Sequence, residues 1–155
     1  MIDAAVRSNA EWCDLVCREH GLAPVFDGDV WWCAERTPPF YPDAMTLARG
    51  VSADAVLAHV DLSPGCSIKD SYADLVLDGF DVLFEAQWIV LDGDAAGDVI
   101  GLFGSGHDYE AAVAAARHTH GSVPLVGYDH GDGLDAALAA GFRPLGPLRV
   151  WMRER

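Results

Sequence analysis

The last third of the chain, from Val123 to Met152, reads VPLVGYDHGDGLDAALAAGFRPLGPLRVWM. Pro124–Tyr128 is a short apolar run with the size and branching of a buried strand. Asp129, Gly131, Asp132 and Gly133 supply turn and helix-start chemistry. Leu134–Ala140 is rich in alanine and stops at Gly141, where a left-handed residue can close a helix. Phe142 then leads over Pro144, Gly146 and Pro147 into a second apolar strand, Leu148–Trp151. The pattern predicts two neighbouring strands bridged by one short helix, and it admits few other folds.

Upstream the punctuation is equally readable. Ser8 or Asn9 can cap a helix running from Glu11 to about His20, stopped by Gly21. Asp27-Gly28-Asp29 is a turn, and Val30–Ala34 has strand character, as do the residues from Ala44 to Leu47. Three prolines make Thr37–Asp43 stiff and irregular. Ser52 caps a short helix through His59. The stretch from Ser67 to Asp78 mixes alternation with polar residues and reads as loop. Asp81–Leu91 is a long strand, Asp92-Gly93-Asp94 a turn, Asp98–Phe103 a strand, and Tyr109 to about His118 a helix. The second half is therefore strand, helix, strand, helix, strand. The expected fold is α/β: a single domain with a mixed sheet of about five or six strands flanked by helices.

Charge narrows the partners. The formal net charge is −14, with 24 acidic residues against 10 basic ones. Affinity for nucleic acid comes mainly from neutralising phosphates, so this balance disfavours nucleic acid and anionic membrane surfaces alike. A neutral or cationic small molecule fits better. No apolar run approaches the roughly 18–20 residues of a spanning helix, and no secretory leader is evident. The expected setting is the cytoplasm, with the 4 cysteines reduced.

Several groupings could carry chemistry. Cys13, Cys17 and His20 share one helical face, which suits zinc in principle. No second ligand pair accompanies them, and cysteine packs well as a small hydrophobe, so they read as core and no metal site is expected. Trp31 and Trp32 must point to opposite faces of their strand, one into the core and one toward solvent or a ligand. Trp32, Tyr41 and Tyr72, beside the rigid proline segment, are candidate walls of a small-molecule pocket. Lys69 and Asp70 would orient polar groups of the substrate. Glu85, inside an apolar strand, would serve as a general base if buried without a partner, whereas pairing with a cation or pointing to solvent would leave it ordinary. His107 and His130 follow strands, at the usual ligand edge of open α/β sheets. Gly104-Ser105-Gly106, between a strand and a helix, can present backbone N–H groups to an anion.

The closing unit, with its A…GF…LG pattern, resembles that of the GNAT N-acetyltransferase family. The VGY…GF…GPLRVW ending also resembles that of a group of actinobacterial proteins. The family resemblance covers residues 98–152 and is loose over the first 80. It implies acyl-CoA bound at Gly104, Ser105 and Gly106 and N-acyl transfer as the reaction. The chain departs from the family pattern in two places. The Q/R-x-x-G-x-G/A loop is missing, with Asp108 and Glu110 where a phosphate would sit. Where the family carries a tyrosine acid, this chain has Ala137. A repurposed relative is implied, using Glu85 or His107 for proton transfer. Two other readings stand beside it: a non-catalytic small-molecule binder, and a structural module. A second copy covering an exposed sheet edge would make a homodimer.

Overall fold

The computed structural model describes residues 1–91, 98–103 and 108–154. The expected Asp92-Gly93-Asp94 turn, Gly104-Ser105-Gly106 and His107 lie outside them. The described residues form four helices and eight strands: α1 (Ile2–Glu19), β1 (Val25–Asp27), β2 (Val30–Trp32), β3 (Ala44–Thr46), α2 (Ala53–Leu57), β4 (Ser67–Asp70), β5 (Asp81–Leu91), β6 (Ile100–Leu102), α3 (Tyr109–His120), β7 (Leu125–Asp129), α4 (Gly131–Ala139) and β8 (Arg143–Met152). The strand order is β1-β2-β3-β4-β8-β5-β7-β6, in mixed orientation. The α/β class is as expected, but the strand count is eight rather than five or six.

The two additional strands are β1 and β4, and each has a physical reason. β1 is only three residues long and exists because Gly28, at φ 59°, lets a two-residue hairpin loop join it to β2. β4 (SIKD) carries a lysine and an aspartate yet is buried throughout, because it pairs with β3 on one side and β8 on the other. Tertiary pairing overrides its local polarity. Two further expectations are corrected. β7 and β8 are not neighbours, since β5 lies between them in the strand order. Helix α1 begins at Ile2, not near Glu11, because nothing in Ile2–Asn9 breaks a helix and Asp3 suits the first turn.

The chain divides into two compact units. The first comprises Met1–Asn9 and Ala86–Gly146. Its core gathers Ile89, Tyr109, Ala116, Leu125, Ala137 and Phe142, each large apolar side chain contributing roughly 1.5–3 kcal/mol by burial. β6 and β7 are parallel, joined through α3, and β5 runs antiparallel to β7. Gly127 is needed at its place: a Cβ there would lie 2.8 Å from the Leu102 carbonyl oxygen. Tyr109 donates to Asp129 Oδ2 at 2.7 Å and meets Phe142 edge-on.

The second unit comprises Ala10–Glu85 and Pro147–Arg155. Its sheet shows strict alternation. Trp31, Met45, Lys69 and Val150 stand in register on one face. Trp32, Ala44, Ile68 and Trp151 stand on the other. The second face packs with Val56, Leu75, Leu77 and Phe80. The first lies beneath the second half of α1, where Trp31 Nε1 donates to Asp14 Oδ1 at 3.0 Å.

The proline segment is held by one buried carboxylate. Asp43 accepts from Arg36 Nη1, from the Thr37 N–H and hydroxyl, and from the Ser67 N–H. The turn above it closes with Tyr41 N–H donating to the Pro38 carbonyl, leaving Phe40 at φ 74° and fully exposed. That conformation favours glycine in a type II turn. Replacement of Phe40 by glycine is expected to raise stability by about 1 kcal/mol, read as a higher urea midpoint with unchanged m-value; a lower midpoint would show that the ring contributes to the fold.

Candidate functional site

In the second unit the β1–β2 hairpin, the loop before α2, and α2 itself border an open cleft of about 500 Å³. Its lining includes Asp27 and Asp29 from the hairpin turn, Val30 and Trp32 from β2, Gly50, Val51 and Ser52 from the loop, and Ala55, Ala58 and His59 from the helical segment. Trp32 is only partly covered and stacks on His59, with ring centroids 4.5 Å apart and planes 24° from parallel. Its Nε1 is buried and has no hydrogen-bond partner among the described residues, an uncommon state for an indole donor.

Each wall has a cause in the chain. Ser52 caps α2 by accepting from the Ala55 N–H at 3.1 Å. Gly50, at φ 72°, turns the loop, and its N–H donates to Asp74 Oδ2 at 2.9 Å. The Leu47 N–H donates to the Asp29 carbonyl at 2.8 Å, tying loop to hairpin. Arg49 lies over the Tyr72 ring at 4.6 Å, and the Tyr72 hydroxyl donates to the Leu47 carbonyl. Behind these, Asp70 accepts from the Asp74 and Leu75 N–H groups and from Trp151 Nε1.

Of the residues singled out from the sequence, Trp32 lines this cleft, and Trp31 is the partner turned into the core, at 0 % exposure. The others are elsewhere. Tyr41 is half-buried in the proline segment, its carbonyl accepting from the Thr37 and Ser67 hydroxyls. Lys69 is buried on the opposite face of the sheet, near enough to Cys13 to pull that thiol's pKa down against the larger effect of burial. Asp70 is sealed, with its oxygens engaged by the chain itself, and Tyr72 supports the loop from below. All three are buried, and none of them lines this cleft.

Glu85 does not meet the condition for a general base. It sits on the exposed part of β5 and pairs with Arg149 Nε at 2.6 Å, its side chain 60 % exposed. Pairing with an arginine was the ordinary alternative, and the structure has it. His107 and Gly104-Ser105-Gly106, the segment expected to hold acyl-CoA, fall outside the described residues. His130 immediately precedes α4 without capping it through its side chain.

Cys13 and Cys17 are buried at 1 % and 0 % exposure. Burial, above all, raises both thiols, Cys17 to about 12, the reverse of what a nucleophile needs. His20 is exposed, its Nδ1 2.9 Å from the Val16 carbonyl. Among the described residues no group of three or more His, Cys, Asp or Glu side chains could hold a metal ion.

Apart from Trp32, none of the lining residues was a candidate pocket residue from the sequence; the polar ones among them are Asp27, Asp29, Ser52 and His59. The signal was present: an acidic DGD turn runs directly into Val30-Trp31-Trp32, and a serine cap opens the segment ending at His59. No protein-family model, curated protein or solved structure matches this chain. No helix among the described residues is long and apolar enough to cross a membrane.

The thiols set an alkaline limit. A group whose folded pKa is raised contributes stability that is complete below its unfolded value and disappears as pH climbs through the folded one. For Cys17 that window runs from 9.0 to about 12, and Tyr109 is raised in the same direction by burial and by Asp129. Urea midpoints are therefore expected to fall between about pH 9 and 11, while at pH 8 a thiol reagent should modify the free cysteines only as fast as the chain unfolds. Rapid labelling of the native protein would contradict this burial.

Proposed function

We propose that this protein binds a neutral or cationic small molecule in the cleft between the β1–β2 hairpin and α2. The observation that carries the reading is Trp32: an aromatic wall, only partly covered, in a cleft of about 500 Å³ that also holds carboxylates and a histidine. Binding pockets for small ligands are of this size and combine an apolar lining with a few polar groups. The loop is preorganised by Asp74, Tyr72 and the Ser52 cap, so little ordering cost falls on the ligand. Binding without turnover is favoured over catalysis because Asp27, Asp29 and His59 make no hydrogen bond to one another among the described residues, and His59 is stacked on Trp32.

A second reading, N-acyl transfer by a repurposed GNAT-like protein, is supported by the first unit. There β6, α3, β7 and α4 follow one another with both helices opening after parallel strands, the arrangement that places helix N-termini at a ligand edge.

Two measurements address these readings. A fragment library screened by ¹⁵N NMR should give saturable shifts clustered on Gly50–Ser52, Ala55, His59 and the Trp32 indole. His59→Ala, a change at an exposed residue, should weaken those hits while leaving the unfolding free energy within about 0.5 kcal/mol. Hits scattered over the surface would count against the cleft. The acyl-transfer reading requires saturable micromolar binding of acetyl-CoA by calorimetry, and heats of dilution alone would remove it.

A further inference from the structure

The cleft's charge inventory is one-sided. Its lining carries two carboxylates, Asp27 and Asp29, one on each side of Gly28. Neither has an ion-pair or hydrogen-bond partner for its side chain among the described residues. No lysine or arginine lines the cleft. The Ser52 hydroxyl oxygen already accepts from the Ala55 N–H. What the cleft offers a visitor is two carboxylates and no lysine or arginine, with donors from the Trp32 indole N–H, the Ser52 hydroxyl and the His59 ring beside the side chains of Val51, Ala55 and Ala58.

We infer that the ligand is an organic cation: a primary ammonium or guanidinium group on an apolar body. Resting on the reading of this cleft as a small-molecule site, the inference assigns the charged end to Asp27 and Asp29 and the apolar body to Trp32 and α2. Two independent effects favour it. Asp27 and Asp29 carry like charge one residue apart on the hairpin, and a bound cation offsets their repulsion. The net charge of −14 concentrates cations around the protein before any contact forms. An anion would meet this field with no lining lysine or arginine to hold it. A bare divalent metal is disfavoured as well: it needs several oxygen ligands, and the described residues offer no grouping of three or more acidic, His or Cys side chains.

The test uses matched probes. 2-Phenylethylammonium, the neutral 2-phenylethanol and the anionic 3-phenylpropanoate are titrated separately into ¹⁵N-labelled protein, with calcium chloride as a fourth arm. The readout is the Trp32 indole N–H, assigned among the 5 tryptophans by its disappearance in Trp32→Phe. The ammonium probe should shift that signal saturably, and the alcohol should bind at least about tenfold more weakly. The double variant Asp27→Asn, Asp29→Asn should lose about tenfold in affinity for the ammonium and none for the alcohol. Both changes are on exposed residues, so the melting temperature is the control that folding is intact.

Equal binding of alcohol and ammonium overturns the cation and leaves the small-molecule reading standing. So does ammonium binding that the double variant does not weaken. A saturable response to calcium at affinity equal to the ammonium's overturns it in favour of a metal. Silence from all four probes, together with silence from the fragment library, overturns the cleft itself and this inference with it.

Discussion

Asp70 is the residue on which the second unit's architecture turns. A carboxylate with 0 % exposure is tolerable only when its oxygens are met by donors. Here two backbone N–H groups, from Asp74 and Leu75, and the Trp151 indole meet them. One group thereby fixes the chain's exit from β4 and anchors β8 beside it. It also sets Asp74, which in turn holds Gly50 at the cleft's edge. The wall of the site is thus positioned by a residue that never touches it. Asp43 does the same for the proline segment, with four donors converging on it.

These two buried acids explain which parts of the fold were legible in the sequence. Features that depend on neighbours in the chain were readable: the Ser52 cap, the stop at Gly121, the Gly141-Phe142 corner, and the opposite orientation of Trp31 and Trp32. The burial of Cys13 and Cys17 followed from helical spacing and thiol chemistry. β4 was not readable, because a lysine and an aspartate in a strand look solvent-facing until the pairing on both sides is known. The start of α1 was missed for a related reason. Ser8 and Asn9 resemble caps, but Asn9 is instead buried within the helix.

The site followed the same division. Trp32 could be named from strand alternation alone. Lys69, Asp70 and Tyr72 were read as ligand-facing because they are polar or amphipathic in an otherwise apolar region, yet all three are spent on structure. Glu85 was drawn from an apolar strand whose first half turns out to be exposed. Asp27, Asp29 and His59 lie in segments separated by some thirty residues of chain, and only the hairpin and α2 together reveal that they share a cleft.

The register of β4 with β8, from Ser67 opposite Met152 to Asp70 opposite Arg149, has a kinetic consequence. Those partners are about eighty positions apart, so their ladder closes only after a long search with a large loop-closure entropy. The intervening residues 86–146 belong to the first unit, whose parallel β6–β7 and antiparallel β5–β7 pairings join residues much nearer in the chain. During synthesis the inner module can condense while the outer one still waits for its final strand to emerge.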